Sequence, residues 1–159
     1  MSLPESGEAY RRAADAFRSA TAGLAVAELD AAVPTCPGWT VSDLLTHVAE
    51  NHEQVFAEVG IEPVGADVLA SWHEQLSSHP RTSAQAVDLA VHAWDVGRAT
   101  GRHVRLDAPV VRFLDAFATD AGPLLAADEA FAPCPLTPDE VATLDEHDRV
   151  LTRYGRDPR

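Results

Sequence analysis

The chain has 159 residues, of which 46% are hydrophobic and 23% charged, a balance typical of one soluble globular domain. Its formal net charge is −13, and all twelve basic residues are Arg. Because so acidic a surface repels phosphate backbones and anionic lipid headgroups, we expect neither nucleic-acid nor membrane partners.

The start of the chain does not read as a targeting segment, since residues 1–8 lack a basic stretch followed by an apolar one. No apolar run approaches the roughly 20 residues that span a bilayer. We therefore expect a cytoplasmic protein with a single helical domain over residues 1–159. In that compartment Cys36 and Cys134, each beside a proline, are expected as reduced thiols rather than as a disulfide.

Helical patterns begin near the amino terminus. Apolar residues at helical spacing predict a first helix over residues 5–22 and a short turn of helix over residues 27–32. Thr40 is a good N-cap, and Asp43 three residues later completes a variant of the capping box. The apolar face that follows predicts a helix running to about Val59.

The middle of the chain predicts a linker and two more helices. Residues 60–65 read as the linker, and residues 67–78 as a short helix that ends before a proline. Thr82 or Ser83 is then expected to cap a long helix that ends at Gly101, because glycine readily adopts the left-handed conformation of a helix end.

The last part of the chain predicts two further helices separated by a loop. Asp107 caps the first, which the Gly-Pro pair at residues 122–123 disturbs or ends. A loop is expected over residues 126–135, and the sequence Thr-Pro-Asp-Glu at residues 137–140 starts a final helix that continues to Gly155. No segment alternates as a strand would, so the economical fold is an all-α bundle with four main helices.

The predicted helix ending at Gly101 carries a polar stripe on an apolar face. At about 100° per residue, Asp88, His92 and Asp95 fall within an arc of about 60°. Burying these groups without partners costs several kcal/mol, so they must be compensated by each other, by a basic group or by a metal ion.

Asp88 and His92 stand four residues apart, so both side chains can reach one point above the helix surface. This pair by itself indicates a hydrogen bond more often than a metal site, unless a third ligand is at hand. His47 and His52 on the helix that starts after Thr40 both qualify. Helical periodicity slightly favours His52 as the buried histidine, and both histidines remain candidates for the third ligand.

Three segments resemble one known family. The segment PTCPGWTVSDLLTH at residues 34–47 resembles the second-helix signature of the DinB-like superfamily, in the branch with the N-terminal domain of mycothiol-dependent maleylpyruvate isomerases. HAWDVGRATG at residues 92–101 resembles a later motif of that branch, and residues 148–151 with 155–158 resemble its closing segment. The resemblance implies a DinB-like four-helix bundle, here with additional short helices, that binds one divalent metal.

Carried over by resemblance, the metal ligands are His47, Asp88 and His92. If this site forms, the place of Asp95 in the polar stripe predicts that it orients His92 or pairs with an arginine. The family usually has Glu where this chain has Asp88. Because Asp is one methylene shorter, the helix is expected to approach the metal more closely or to bind it through water. The resemblance assigns no catalytic residue and no residue that contacts a thiol.

Two imidazoles and one carboxylate leave at least one coordination position open, as in catalytic metal sites. Zn²⁺ is the first expectation, and Ni²⁺ and Fe²⁺ accept the same ligands. The resemblance also implies a low-molecular-weight thiol of the mycothiol type as cofactor. The function expected is a metal-dependent, thiol-using transferase or isomerase that acts on a small molecule.

The alternative is a non-catalytic metal-binding or interaction module with an altered metal site, forming a homodimer through exposed apolar helix faces. Metal content and a response to thiols separate the two alternatives. Trp39 and Trp94 are expected to be packing residues in either case.

Overall fold

The computed structural model describes residues 3–127, 131 and 133–159, and within these residues it contains eight helices and no strand. The helices are α1 (Ser6–Thr21), α2 (Val26–Leu29), α3 (Val41–Val59), α4 (Val68–Leu76), α5 (Thr82–Thr100), α6 (Ala108–Ala127), α7 (Pro138–Ala142) and α8 (Glu146–Thr152). The predicted fold class, all-α of the DinB-like bundle type, is confirmed. In the part of the chain described, each helix is too short or too polar to cross a membrane.

Local chemistry sets most helix starts, as predicted. The Thr40 hydroxyl accepts a hydrogen bond from the Asp43 amide at the start of α3, and Thr137 does the same for Glu140 at α7. The start of α5 differs, because its N-cap is Arg81, which makes no side-chain cap. The Thr82 hydroxyl instead donates to the Leu76 carbonyl oxygen at 2.6 Å, so a tertiary contact replaces the expected cap.

The prediction of one helix from residue 137 to Gly155 is wrong, since two short helices, α7 and α8, occupy this segment. Asp145 is the reason. Its side chain accepts a hydrogen bond from the Asp148 amide at 2.9 Å and so caps a new helix.

The Gly-Pro pair at residues 122–123 does not end α6, which continues to Ala127. The predicted loop over residues 126–135 therefore begins inside the helix. Residues 128–130 and 132 of that loop lie outside the described residues.

Two compact units make up the chain. Residues 5–104 form the first, in which α1 and α3 both pack on α5 and α4 packs on α1 and α3. Residues 1–4 and 105–159 form the second, in which α8 packs on α6 and α7. The single domain expected over residues 1–159 stays a prediction.

The core of the first unit contains a polar pair surrounded by aromatic rings. His52 is fully buried, as helical periodicity predicted. One of its ring nitrogens, Nδ1, lies 2.7 Å from the Val48 carbonyl oxygen, and the other, Nε2, lies 2.9 Å from the Tyr10 hydroxyl. The Trp72 ring lies edge-on to the imidazole, with ring centres 5.1 Å apart. Both nitrogens of His52 are thereby satisfied.

Both glycines of the HAWDVGRATG segment, residues 92–101, are required by the path of the backbone. Gly101 ends α5 in the left-handed conformation, with φ of +71°. The chain then passes close to Gly97, where a β-carbon would lie 2.7 Å from Cγ2 of Val104. Since no larger residue fits there without a shift, Gly97 permits this close return of the chain over α5.

Candidate metal centre

A cluster of two imidazoles and one carboxylate lies where α3 meets α5. His47 comes from α3, while Asp88 and His92 lie one turn apart on α5. One ligand atom from each of the three residues lies within 4.8 Å of the others. Because α3 and α5 pack together, the histidine that α3 turns towards α5 completes the pair predicted from helical spacing.

Asp88 stands between the two imidazoles. Its Oδ1 atom lies 3.1 Å from His92 Nε2 and 3.9 Å from His47 Nε2. Its second oxygen, Oδ2, is buried and has no hydrogen-bond partner. A buried carboxylate oxygen without a partner is costly, and such atoms mark functional sites or a missing ion. Asp88 therefore reaches both imidazoles in spite of its short side chain.

Asp95 contacts His92 at the ring nitrogen that does not face Asp88. Its Oδ2 atom lies 3.0 Å from His92 Nδ1, and the Thr35 hydroxyl donates to its Oδ1 atom at 2.6 Å. Asp95 is fully buried. A carboxylate at Nδ1 fixes the imidazole ring and leaves Nε2 to face Asp88, which is the usual arrangement behind a metal-binding histidine.

The charges of the cluster are strongly coupled. Burial raises the pKa of Asp88, but the neighbouring His47 and His92 imidazoles outweigh it and hold this pKa well below the ordinary value. Burial lowers the pKa of His92, but hydrogen bonds to Asp88 and Asp95 outweigh that effect and raise it to about 9. The two carboxylates beside His92 thus favour a positive charge at this position, either on the imidazole or on a bound cation.

His47 forms the exposed edge of the cluster, with a third of its side chain accessible. The Asn51 amide nitrogen lies 3.1 Å from His47 Nε2, and the Trp39 ring is tilted against the imidazole with centres 4.9 Å apart. Beside it opens a cavity of about 440 Å³. The cavity is lined by Gly38, Trp39, Asp43, Thr46, His47 and Glu50.

Of the two histidines left open from the sequence, the structure brings His47 to the cluster. His52 is fully buried, and both its nitrogens bond to Tyr10 and Val48. The donor set of His47, Asp88 and His92 fits a divalent metal such as Zn²⁺. Ligation by these three residues stays a prediction, as does the supporting role of Asp95.

Cys36, His92 and Asp95 also bring ligand atoms within 4.8 Å of one another. This second grouping shares His92 and Asp95 with the first. Cys36 is half-buried, and neither Cys36 nor Cys134 forms a disulfide in the described part of the chain. The thiol is thus a neighbour of the cluster.

A third grouping, in the second unit, consists of Asp145, His147 and Asp148. Helix capping explains it. Asp145 caps α8 and pairs with Arg105, while His147 accepts a hydrogen bond from the Leu106 amide at 3.1 Å through Nε2. His147 Nδ1 lies 2.8 Å from the Asp148 carboxylate. Both nitrogens of His147 are therefore occupied by structural contacts.

Sequence reasoning missed four residues around the cluster, namely Thr35, Trp39, Glu50 and Asn51. Thr35 and Trp39 lie in the irregular segment before α3, where helical periodicity assigns no face. Trp39 was expected to be a packing residue, yet it is half-buried and lines the cavity. Asn51 lies four residues after His47, and this spacing on a helix was the available signal.

The chain resembles several known sequences. Residues 10–83 match the family described as the mycothiol maleylpyruvate isomerase N-terminal domain, a match that includes His47 and ends before Asp88. Two uncharacterized proteins, from two strains of Mycobacterium tuberculosis, are each 32% identical over 127 aligned positions, covering 62% of this chain and 69% of the relative. No solved structure gave a significant match.

Proposed function

We propose that this chain, which belongs to the family of the mycothiol maleylpyruvate isomerase N-terminal domain, binds one divalent metal ion through His47, Asp88 and His92. We further propose that it uses this metal in a thiol-dependent transfer or isomerisation of a small molecule. The observation that carries the proposal is the buried Oδ2 atom of Asp88, which lacks a partner although two imidazoles stand beside the same carboxylate.

The residues around the cluster have distinct tasks in this proposal. Asp95 and Thr35 hold the His92 ring, so that its Nε2 atom is directed at the metal position. His47, at the exposed edge, closes the site on the side of the cavity. A bound divalent ion would lower the pKa of a water or thiol at the open position and polarise a substrate oxygen.

Zn²⁺ is the metal we propose first, because it favours sites of two imidazoles and one carboxylate, and Ni²⁺ and Fe²⁺ accept the same donors. The family name points to mycothiol as the type of thiol. A low-molecular-weight thiol of this kind fits the cytoplasmic location that we propose. We propose no catalytic residue beyond the metal cluster.

Metal analysis of the untagged protein tests the first step. We expect one equivalent of divalent metal in the parent chain and less than a tenth of an equivalent in His47→Ala and in Asp88→Asn. The control is His103→Ala, which removes an exposed histidine outside the cluster. Circular dichroism of the three variants separates loss of metal from loss of fold.

A parent chain without metal after loading with Zn²⁺, Ni²⁺ or Fe²⁺ contradicts the proposed function. If metal binds, the thiol step is tested by thermal shift of the loaded protein with small thiols. A shift that requires both metal and thiol supports the transferase or isomerase function. Metal binding without any response to thiols favours the non-catalytic metal-binding module.

A further inference from the structure

The cavity beside His47 has a wall of one charge sign. Two carboxylates, those of Asp43 and Glu50, belong to its lining, and neither Arg nor Lys is among the six lining residues. On α3, Asp43 precedes His47 by four residues and Glu50 follows it by three. These spacings put both carboxylates on the helix face of His47, one on each side along the helix axis.

The two carboxylates differ in their surroundings. Asp43 accepts hydrogen bonds from the Thr40 amide at 2.8 Å and from the Thr40 hydroxyl at 2.9 Å. Glu50 is exposed at the rim. Trp39 supplies the aromatic surface of the same cavity and leans on the His47 ring. A pair of carboxylates beside an indole is the kind of surface that binds ammonium groups.

The two arginines that follow the cluster along the chain are engaged elsewhere. Arg102 binds the Glu28 carboxylate and the carbonyl oxygen of Ala22. Arg98 lies over the Trp94 ring, 5.2 Å from its centre. Neither of them lines the cavity. An anionic ligand would therefore enter a cavity with two negative side chains and without an arginine in its wall.

We infer that the cavity lined by Trp39, Asp43, His47 and Glu50 selects small ligands that carry an ammonium group and disfavours anions such as dicarboxylates. This inference rests on the proposed function for the place of the ligand, because it assumes that the reacting end of the ligand lies at the His47, Asp88 and His92 cluster. It adds the charge class of the thiol or substrate, with Asp43 and Glu50 as the residues that determine specificity.

Three thiols of equal length and different charge serve as probes: cysteamine (positive), 2-mercaptoethanol (neutral) and mercaptoacetate (negative). Calorimetry with the Zn²⁺-loaded full chain at low ionic strength measures their dissociation constants. We expect the tightest binding for cysteamine and the weakest for mercaptoacetate. A higher salt concentration should bring the three dissociation constants closer together, because ions screen the charges at the rim of the cavity.

The three thiols differ in their own acidity, so the deciding quantity is a ratio compared between variants. In Glu50→Gln, the ratio of the mercaptoacetate to the cysteamine dissociation constant should fall about threefold, as expected when one exposed charge is removed. Glu53→Gln is the matched control, because it removes the same charge from an exposed position on α3 that does not line the cavity. Its ratio should equal that of the parent chain.

An unchanged ratio in Glu50→Gln, or an equal fall in Glu53→Gln, overturns the inference. Failure of the proposed function gives a different result, namely no bound metal in the parent chain. The charge preference is then measured on the metal-free protein by NMR, following the indole N–H signal of Trp39 during titration with cysteamine and with mercaptoacetate. A response to mercaptoacetate as large as that to cysteamine, or to neither, contradicts the inference in that case too.

Discussion

Two histidines on α3, five residues apart, lie in opposite kinds of environment. His52 is fully buried, and its two nitrogens bond to the Tyr10 hydroxyl and to a backbone carbonyl oxygen. His47 is one-third exposed and faces Asp88, whose second oxygen is buried without a partner. One histidine belongs to a completed polar network and the other to an incomplete one.

The difference teaches how to separate a structural polar cluster from a binding site. Buried polar groups are nearly always satisfied, so a completed network such as that of His52 requires nothing further to explain it. In a cluster whose ligand atoms converge, a buried oxygen without a hydrogen bond has a free-energy cost, and a bound ligand can remove that cost. From this contrast we expect the His52 network to contribute mainly to stability, and we propose the His47 cluster as the binding site.

The largest expected effect is on stability, from His52→Ala. This change removes a buried ring together with the hydrogen-bond partner of Tyr10, and should lower the free energy of unfolding by about 3 kcal/mol. Urea denaturation of the metal-free protein measures it. His47→Ala, which truncates a partly exposed side chain, should cost less than about 1 kcal/mol. An equal loss of unfolding free energy in the two variants would contradict the difference proposed between His52 and His47.

The next effect concerns metal affinity and comes from Asp95→Asn. The substitution weakens the group that orients His92, and support of this kind is worth about 10- to 100-fold in metal affinity, or about 1.4 to 2.7 kcal/mol. Competition with a chelating dye measures the dissociation constant. Thr35→Val, which removes only the hydrogen bond to Asp95, should weaken metal binding by less than Asp95→Asn. Unchanged affinity in both variants would show that Asp95 does not support the ligand.

The pH dependence of stability provides a third comparison. Burial lowers the pKa of His52 below its ordinary value of 6.5, against the opposing hydrogen bond to Val48. His52 therefore takes up a proton near pH 6.5 in the unfolded chain, but only at lower pH in the folded protein. The stabilisation that the neutral His52 ring provides is present above pH 6.5 and is lost as the pH falls. The loss should reach at most about 1.4 kcal/mol per pH unit.

This pH effect is measured as the difference between the parent chain and His52→Gln, both metal-free, between about pH 7.5 and 5. Glutamine does not titrate, so the variant should lose less stability than the parent chain as the pH falls. Other titrating groups cancel in the difference. Parallel profiles would mean that His52 accepts a proton in the folded protein as easily as in the unfolded chain.

The smallest effect is expected from Tyr10→Phe. The variant keeps the ring and loses the hydroxyl that lies 2.9 Å from His52 Nε2, at a cost of about 1 kcal/mol. Tyr154→Phe in the second unit is a matched control, since its hydroxyl donates to the Leu114 carbonyl oxygen, and its loss should be similar. Metal affinity should stay unchanged in both variants. A weaker metal site in Tyr10→Phe would show that the two polar clusters are coupled.

Much of the fold follows from short-range chemistry. The helix starts at Thr40 and Thr137 are confirmed because a hydroxyl oxygen accepts a hydrogen bond from an amide three residues ahead, a contact that needs no other part of the chain. The end of α5 at Gly101 is local for the same reason. The break between α7 and α8 is also local, but Asp145 was one of several residues able to cap a helix.

The sequence by itself determined most of the helices, the polar stripe of Asp88, His92 and Asp95, and the burial of His52. Only the tertiary structure decided that His47 stands beside Asp88 and that Thr35 and Trp39, from the irregular segment before α3, complete the surroundings of the cluster. Helical periodicity states which residues share a face. The packing of α3 on α5 decides which residue of that face meets a given side chain on the neighbouring helix.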